Sequence, residues 1–344
     1  MTNEQPAKKK PSGHAKSRVG LDIGSNLVRI CEVSRTAETV SLTAAGVKRV
    51  EGSSKESLGA AVKALAEETK VSAKDAVISV SGSSVIVRFV AMPKMREEDL
   101  KGAIKFEAEK YLPFNINECV VDFQIIRKIE QENKLEILLV AAKKAYIEDR
   151  MKIAEAAGFS VSIIDVDSFA IVNSFLKNMP SLDPEKAYAL LNIGAALTNL
   201  SIVRAGTVCF VRDIAMGGNE FDAAISRGLA IDLKAASELK LSPADKAPDI
   251  ARCTKAVIAG ILDEARLSFS YYENQHGRAV DEIYLTGGGS ELTGLTEQFE
   301  ETFGAKPNRW DPFQCFDKSA LSADAAALDK AKNSFAVATG LALR

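Results

Sequence analysis

LDIGSNL at residues 21–27 has a counterpart in LNIGAAL at residues 191–197. In both stretches an apolar run meets a glycine turn and a second apolar run follows, which is the pattern of a β-hairpin. A third apolar run follows each hairpin, at residues 40–50 and 207–214. Because the order of elements repeats together with the residues, the sequence predicts a duplicated α/β fold with two related lobes.

Composition limits the class of protein. The 344 residues are 47% hydrophobic, which is enough for a large core and for roughly two domains. A formal net charge of −2 gives no argument for nucleic acid as a partner. The five cysteines contain no CxxC pair, so we predict buried, reduced thiols, and the two histidines are too isolated for a zinc site.

The hydropathy pattern contains no membrane signal. No apolar stretch approaches the ~20 residues that span a bilayer, and no apolar core follows the N-terminal charges as in a secretory signal. Residues 1–17 are polar and include Lys8, Lys9 and Lys10, so we predict a disordered tail there. The alternative is a tail that makes weak contact with anionic lipid.

A separate block interrupts the first lobe. It contains a predicted amphipathic helix, two strands and a second helix, at residues 97–111, 119–129, 135–142 and 145–157. This order differs from that of the lobes, so we predict an inserted subdomain at residues 92–161. The first lobe then comprises residues 18–91 and 162–185, and the second comprises residues 186–344.

The first hairpin has the residues of a phosphate-binding loop. Backbone N–H groups around Gly24, Ser25 and Asn26 can turn towards a phosphate, because glycine permits close approach and successive N–H groups form an anion-binding concavity. Asp22 would repel that phosphate unless a hydrated Mg²⁺ lay between them. Arg29 on the next strand adds a cation. The alternative is an ordinary hairpin whose Asp22 is solvated.

The second hairpin repeats the shape with weaker chemistry. Asn192 can hydrogen-bond a metal-bound water but carries no charge, and Thr198 offers a hydroxyl to a phosphate or a water. Gly194 forms the turn. Gly217 and Gly218 lie at the next strand-to-helix step, where they either approach the ligand or form a plain turn.

The longest glycine run in the chain is Gly287, Gly288 and Gly289, followed by Ser290, between a predicted strand and a helix. Such a run lets a flat ring or a ribose lie against the backbone, and the alternative is a flexible turn. The chain has no GxxxxGK followed by Ser or Thr, and no GxGxxG after its first strand. These absences exclude a P-loop enzyme and disfavour a dinucleotide-binding Rossmann site.

Four charged residues complete the list of candidate binding and catalytic residues. Glu238 and Lys240, at the end of a predicted helix, can bind a ribose or a base edge, or form an exposed charge pair. Asp165 and Asp167 follow a predicted strand near the crossing between the lobes, where either could be a general base. The alternative is a solvated turn acid and a helix N-cap at Asp167.

In their order, the two hairpins, the connecting helix and the glycine-rich loop resemble the superfamily of actin and hexokinase. Within it, the chain resembles the PilM family of type IV pilus assembly proteins, relatives of the cell-division protein FtsA. The resemblance is carried by GLDIGSNLVRICEV, MPKMREEDLKGAIKFEAEKYLPF, LLNIGAALTNLSIV, AASELK, IYLTGGGSELTGL and AVATGLAL. The second stretch, residues 92–114, is the most specific, because sugar kinases lack it.

The resemblance implies an actin-like, ribonuclease H-type fold with residues 92–161 as an FtsA-type subdomain. It implies ATP and Mg²⁺ as ligands, with Asp22 near the metal through water, in a cytoplasmic scaffold of the pilus platform. The implied partner is the cytoplasmic N-terminal tail of PilN, held in a groove between the first lobe and the inserted subdomain. Through it the protein would lie beneath the inner membrane, beside other platform proteins or further copies of itself.

Three features depart from the family pattern. The family usually has Asp where this chain has Asn192, and often Lys where it has Arg29. Arg29 keeps the positive charge, so the prediction of ATP binding is retained. Asn192 removes a carboxylate beside the expected metal, so we predict slow or absent hydrolysis. The polar, alanine-rich residues 317–332 are the third departure, and no function is assigned to them.

Two alternatives keep the fold and change the function. An FtsA-like filament protein would end in an amphipathic membrane helix, whereas this chain ends at Arg344 directly after an alanine- and glycine-rich helix. A small-molecule kinase would use Asp165 or Asp167 as its base and would need a substrate pocket. The only tryptophan is Trp310, and no cluster typical of sugar binding occurs, so the scaffold with at most weak ATPase activity is preferred.

Overall fold

The computed structural model describes residues 16–52, 54–321 and 325–344. Most of the predicted tail at residues 1–17, and part of the segment 317–332, therefore lie outside the described residues. Among the helices of the described part, none has the length and apolar character needed to cross a membrane.

The described part contains both predicted hairpins, the third strand after each, and the predicted helix, two strands and helix of the interrupting block. The strands are β1 (Lys16–Ile23), β2 (Leu27–Arg35), β3 (Val40–Arg49), β4 (Asp75–Val80), β5 (Val85–Pro93), β6 (Cys119–Ile129), β7 (Lys134–Lys143), β8 (Ser160–Val166), β9 (Ala187–Ile193), β10 (Thr198–Arg204), β11 (Thr207–Ile214) and β12 (Glu282–Thr286). The helices are α1 (Lys55–Glu68), α2 (Glu97–Glu109), α3 (Lys144–Ala156), α4 (Asp167–Asn178), α5 (Gly218–Leu229), α6 (Leu233–Leu241), α7 (Ala247–His276), α8 (Leu295–Phe303), α9 (Ala325–Ala331) and α10 (Ala336–Ala342).

The first lobe is a five-stranded sheet in the order β3-β2-β1-β4-β8. Strand β1 pairs antiparallel with β2 and parallel with β4, so it has a neighbour on both edges. One face of the sheet buries Val19 and Leu21 against Val62 and Leu65 of α1. Strand β1 begins at Lys16, inside the segment that the sequence assigned to the tail.

The second lobe repeats this sheet. Its order is β11-β10-β9-β12, which matches β3-β2-β1-β4 strand for strand. Strand β9 is antiparallel to β10 and parallel to β12, as β1 is to β2 and β4. All 7 residues of β9 are buried, because Ala189 and Leu191 join one core and Tyr188 and Leu190 join another on the opposite face. The predicted duplication is therefore confirmed.

A third, three-stranded sheet forms the inserted subdomain, in the order β5-β7-β6. Helix α2 covers one face of it through Leu100 and Ile104. Strand β5 pairs with β7 along its whole length, from Val85 opposite Ala142 onward. Strands β4 and β5 thus belong to different sheets, although both begin within residues 18–91, which were predicted to belong to the first lobe.

This pairing differs from the predicted limits of the insertion, residues 92–161. The sheet starts with β5 at Val85, whereas α3 packs on α1 and β8 extends the sheet of the first lobe. The apolar residues of β5 identify a strand, but they carry no information about which neighbour accepts its backbone hydrogen bonds. From the strand pairing we propose that the insertion spans about residues 85–143.

Helices α4 and α10 pack closely between the lobes. The hydroxyls of Ser174 and Thr339 lie 2.9 Å apart within this contact. A Cβ on Gly340 would lie 1.7 Å from the carbonyl oxygen of Ala170, so the two backbones touch. Small side chains thus allow these helices to hold the two sheets at a fixed distance across the cleft.

Candidate functional site

Each lobe turns its first hairpin in the same way. The N–H of Gly24 donates to the carbonyl of Leu27 at 3.1 Å, and the N–H of Gly194 donates to that of Leu197 at 2.9 Å. A Cβ on Gly24 would lie 2.7 Å from the Leu27 oxygen, and one on Gly194 would lie 2.9 Å from the Leu197 oxygen. This close approach of backbone atoms is the physical reason for glycine in both turns.

The two hairpins line one cavity of about 300 Å³ between the lobes. The predicted site residues that line it are Asp22, Gly24, Ser25, Asn26, Arg29, Asn192, Gly194, Gly218, Lys240, Gly287 and Gly288. They come from the first hairpin and from several elements of the second half of the chain, which the fold brings together. Both hairpins therefore face a common space.

Two predicted hydroxyls do not line the cavity. Thr198 is buried and donates to the carbonyl of Met216 at 2.8 Å. Ser290 is also buried and donates to the carbonyl of Gly287 at 2.7 Å. Both side chains satisfy backbone carbonyls of nearby turns, so their hydroxyls are directed into the protein rather than towards a ligand.

Three further predicted residues lie outside the cavity wall. Gly217 packs on the second hairpin, where a Cβ would lie 2.6 Å from the oxygen of Gly194. Gly289 packs beneath the same hairpin, where a Cβ would lie 2.5 Å from Cγ2 of Ile193. Glu238 is exposed, because the helical turn of α6 directs Lys240 to the cavity and Glu238 to solvent.

The two acids at the end of β8 have different surroundings. Asp167 lines the cavity, and its carboxylate accepts a hydrogen bond from the Ser79 hydroxyl at 2.5 Å. The prediction that Asp167 caps α4 is wrong, because Val166 holds the N-cap position and no side chain caps it. Asp165 is buried in a bidentate pair with Arg344, at 2.5 and 2.7 Å, and does not line the cavity.

Asp22 and Arg29 form a largely buried ion pair across β1 and β2. They are register partners, and Nη1 of Arg29 lies 2.8 Å from Oδ2 of Asp22. Burial raises the pKa of Asp22, Arg29 opposes that shift, and Asp167 adds to it. Arg29 also donates from Nε to the Ser334 hydroxyl at 3.0 Å. The first hairpin thus holds a paired carboxylate at the cavity wall.

An amide pair takes the place of this ion pair in the second hairpin. Asn192 and Asn199 are register partners across β9 and β10, and Nδ2 of Asn192 donates to Oδ1 of Asn199 at 2.8 Å. Asn199 donates in turn to Oδ1 of Asp213 at 2.8 Å. The other oxygen of Asp213 accepts from the N–H of Gly82, in the first lobe, at 2.7 Å. The nearest carboxylate in this chain of bonds therefore lies on β11, away from the hairpin.

Further hydrogen bonds join the lobes at the mouth of the cavity. Nδ2 of Asn26 donates to Oδ1 of Asn219, at the start of α5, at 2.9 Å. Nη2 of Arg49 donates to the hydroxyl of Ser237, on α6, at 3.1 Å. Because each bond has one partner in each lobe, they link the lobes across the mouth of the cavity.

The α5–α6 side of the cavity carries a second ion pair. Nζ of Lys240 lies 2.6 Å from Oδ1 of Asp222 and donates to the carbonyl of Gly218 at 3.1 Å. Across from them, Gly287 has a φ of 90°, and a Cβ there would lie 2.4 Å from the oxygen of Ile193. Only glycine allows this approach of the loop after β12 to the second hairpin.

Several cavity residues were not selected from the sequence. They are Arg49, Asn199, Ser237, Asp222, Tyr146 and Arg150, and Asp167 was considered for a different reaction. Asn199 could have been selected from the sequence, because it follows Asn192 at the same spacing as Arg29 follows Asp22 and so holds the equivalent position in the repeat. The others come from elements outside the hairpins, and their contact with the hairpins depends on tertiary packing.

The duplicated sheets, the paired hairpins and the cavity between the lobes define an actin-like fold of two lobes. A solved structure of the PilM-PilN type IV pilus biogenesis complex matches with a TM-score of 0.85 and 27% sequence identity, over 95% of this chain and 98% of that chain. The ethanolamine utilization protein EutJ from Carboxydothermus hydrogenoformans shares the fold, with a TM-score of 0.58 and 13% identity over 100% of this chain and 92% of that chain. The family model of the type IV pilus assembly protein PilM matches residues 20–344, and the chain belongs to that family.

Proposed function

We propose that this protein is an ATP-binding scaffold of the type IV pilus assembly platform, with slow or absent ATP hydrolysis. The observation that carries the proposal is the cavity that both glycine hairpins line, with Gly24 from one lobe and Gly194 from the other. Backbone N–H groups of such turns suit a phosphate chain. A ligand that contacts both hairpins would hold the lobes together.

The carboxylate oxygens at the cavity fit a Mg²⁺ ion that keeps most of its water ligands. Asp22 and Asp167 both line the cavity and interact electrostatically with each other. No group of three or more metal-binding side chains occurs within the described residues, so an all-protein cage is not available there. Mg²⁺ is commonly bound through one or two carboxylates, with phosphates and waters completing its shell. Asp22 would hold the ion, with Asp167 beside it, and the bound ion would neutralise phosphate charge.

The same cavity has groups suited to a nucleoside. Gly288 lines it, and a Cβ there would meet nothing within 4 Å, which leaves open space beside the backbone. Arg49, Ser237 and Lys240 line the wall formed by β3 and α6 and offer donors for a ribose or base. We propose that the nucleoside lies between this wall and the glycine loop after β12.

The proposed low turnover rests on the second hairpin. Asn192 donates to Asn199, and neither side chain brings a charge to the cavity. Phosphoryl transfer depends on positioned charges that neutralise the developing negative charge and on a group that orients the attacking water. Asp167 is held by Ser79, and the second hairpin adds no further carboxylate to assist it.

Thermal unfolding with and without Mg·ATP tests nucleotide binding. A ligand that binds only the native state stabilises it by about 2.7 kcal/mol at a free concentration of 100 times Kd, so Tm should rise. The variant Gly24→Val fills the turn and should lose the rise. Gly102→Val is the control, because a Cβ at Gly102, on α2, meets nothing within 4 Å. An unchanged Tm in the native protein would contradict the proposal, and ADP release that depends on an added small molecule would support a kinase instead.

A second cavity, of about 1030 Å³, suits the proposed partner, the cytoplasmic N-terminal tail of PilN. The support for this partner is the match to the PilM-PilN complex over nearly the full length of both chains. The cavity lies between β5 of the inserted sheet and β11 of the second lobe, with α7 beside them. Through the tail, the protein would be held at the inner membrane.

Both β5 and β11 are edge strands of their sheets. Edge strands present backbone donors and acceptors, and an extended peptide can pair with them while its side chains enter apolar pockets. Phe89 and Phe210 supply such apolar surface, and Leu267 and Tyr271 of α7 are exposed beside them. We therefore propose that the tail binds as an added strand, in a groove that the second lobe completes together with the first lobe and the insertion.

Two leucines of equal exposure test this groove. Leu267 lines it and Leu233 does not, and each is 61% exposed, so neither replacement should disturb folding. Leu267→Lys should weaken binding of a PilN tail peptide about tenfold, measured by calorimetry, because it removes apolar contact. Leu233→Lys should leave the affinity unchanged. Equal effects of the two replacements would place the peptide elsewhere.

A further inference from the structure

A third cavity, of about 600 Å³, lies on the first lobe. Its walls come from the end of β2, the start of β3, the second half of α4 and the residues after α10. It shares no lining residue with the cavity between the hairpins or with the groove beside β5 and β11. It is therefore separate from the places proposed for the nucleotide and the peptide.

Three of the side chains that line this cavity are cations, and two of them lack a carboxylate partner. Arg344 is held by Asp165 in the bidentate pair described above. Nη2 of Arg35 reaches only the carbonyl oxygen of Ala342, at 3.4 Å. Among the residues that the structure describes, neither Arg35 nor Lys177 forms an ion pair, and no acidic side chain lines the cavity. The fold thus leaves positive charge here without compensation.

The neighbouring cation Arg18 does not relieve this charge. It is paired with Asp75 at 3.3 Å, and it donates to the main-chain oxygen of Arg344. Burial and the positive charge of Arg18 both lower the pKa of the Arg35 guanidinium. A bound anion would oppose both effects, because a nearby opposite charge favours the ionised form of a group.

Apolar side chains lie among these cations. Val40, Leu176 and Leu343 line the cavity, and each is only partly buried. Cations around a partly exposed apolar surface match an anionic amphiphile, whose phosphate contacts the cations while its glycerol and first methylenes cover the apolar side chains. A free phosphate ion would leave that apolar surface uncovered.

The chain enters the fold beside this cavity, and the sequence that precedes β1 is basic. Lys16 begins β1 and is the register partner of Arg35. Lys8, Lys9 and Lys10 precede it in the sequence. Clusters of about four to eight Lys and Arg residues are typical of segments that contact anionic lipid. The charge pattern therefore favours a membrane surface, which presents many headgroups, over a single acidic peptide.

We propose that this cavity binds the headgroup of an anionic phospholipid, so that the first lobe contacts the membrane surface directly. Arg35 and Lys177 would bind the phosphate, with Leu176 and Leu343 against the glycerol and the upper part of an acyl chain. The contact needs neither a nucleotide nor a peptide. It differs from the proposed function, in which the tail of another protein holds this protein at the membrane.

Co-sedimentation of the full chain with vesicles tests the proposal. The vesicles contain phosphatidylglycerol mixed with phosphatidylcholine, or phosphatidylcholine alone, and no partner protein is added. We expect binding to the anionic vesicles only. The binding should weaken as salt is added, because the Debye length falls from about 10 Å at 0.1 M to about 3 Å at 1 M.

Replacement of the two unpaired cations tests the cavity itself. Arg35→Ser with Lys177→Ser should lower the partition coefficient about 25-fold, which is about fivefold for each cation removed from the membrane surface. Lys177 is exposed, so Lys177→Ser alone should fold normally and lower the coefficient about fivefold. The matched control is Lys63→Ser with Lys255→Ser, which removes the same charge at exposed positions of α1 and α7 that do not line the cavity. Its coefficient should equal that of the native protein.

Several results would overturn the proposal. One is no sedimentation with anionic vesicles at low salt, and another is equal binding to neutral vesicles. Equal losses in the cavity variant and its control would show that only net charge matters. Loss of binding in a variant with Lys8, Lys9 and Lys10 replaced by Ser, beside native binding of Arg35→Ser with Lys177→Ser, would remove the cavity from the contact. Binding of inorganic phosphate or of a glutamate-rich peptide without binding of vesicles would assign a different ligand.

These results are independent of the proposed function, because nucleotide and peptide are expected in the other two cavities. Sedimentation with anionic vesicles in the absence of both ligands would support the lipid contact even if neither ligand bound. Binding of Mg·ATP and of the PilN tail peptide by a protein that ignores anionic vesicles would overturn the lipid contact alone.

Discussion

The two hairpins have the same backbone and differ in the pair of side chains behind the turn. In the first, Asp22 and Arg29 form an ion pair at 2.8 Å. In the second, Asn192 and Asn199 hold the equivalent register positions and form an amide hydrogen bond at 2.8 Å. The duplicated topology therefore gives both hairpins the same backbone geometry, whereas the two side chains behind each turn decide whether the hairpin carries charged groups. The first hairpin has a carboxylate that can interact with a metal ion, whereas the second has the same turn without a carboxylate.

The largest expected difference between the hairpins is in stability. Asp22→Ala leaves the largely buried Arg29 without its carboxylate, and we expect a loss of about 3 kcal/mol, the lower end of the range for a broken buried pair. Asn192→Ala removes one partner of a neutral bond and should cost about 1 to 2 kcal/mol. Urea denaturation of both variants measures the two losses.

A transplanted pair serves as the control for this prediction. The double variant Asp22→Asn with Arg29→Asn gives the first hairpin the amide pair of the second and leaves no unpaired buried charge. It should recover more than half of the stability lost in Asp22→Ala. Equal losses in Asp22→Ala and Asn192→Ala would show that the charge of the first pair is not what distinguishes the hairpins.

The second hairpin is touched by the backbone of the loop after β12, and this contact has no room for a side chain. Gly287→Ala would place a Cβ 2.4 Å from the oxygen of Ile193 at a φ of 90°. We expect a loss of about 2 to 4 kcal/mol from strain and overpacking, measured by urea denaturation. Gly288→Ala is the neighbouring control and should cost under about 1 kcal/mol, because a Cβ there meets nothing within 4 Å. Similar losses would contradict the close approach at Gly287.

A carboxylate can be returned to the second hairpin by Asn192→Asp. In the free protein it should lower stability by about 1 to 2 kcal/mol, because position 192 is 9% exposed and the new charge is desolvated. With Mg·ATP present, the Tm rise should exceed that of the native protein, and ATP hydrolysis should increase. A smaller Tm rise than native would show that position 192 does not face the metal.

The smallest effect is expected at the mouth of the cavity. Asn26→Ala removes the exposed bond to Asn219 and should cost about 0.5 kcal/mol. Asn219→Ala should cost the same, and the double variant should cost no more than either alone, since both report one interaction. Fully additive losses would mean that the two side chains do not interact in solution.

Most of the fold could be predicted because its signals are local. The hairpins at Gly24 and Gly194 and the repeat of strand order follow from apolar periodicity and turn residues. Strand β5 was expected beside the first lobe but pairs with β7 in the three-stranded sheet, and periodicity could not show this because it does not encode the partner of a strand. In the site, Thr198 and Ser290 were expected to face the ligand, but each hydroxyl is taken by a backbone carbonyl that the sequence cannot place.

By itself the sequence determined the duplicated lobes, the two glycine turns and the difference between a charged and an amide pair, because each depends on residues close together in the chain. Only the tertiary structure decided which groups meet across the cleft. Gly82 and Asp213 bond at 2.7 Å although they belong to different lobes, and Arg49 reaches Ser237 in the same way. Such contacts depend on the packing of α4 on α10, which sets the distance between the sheets and leaves no local pattern in the sequence.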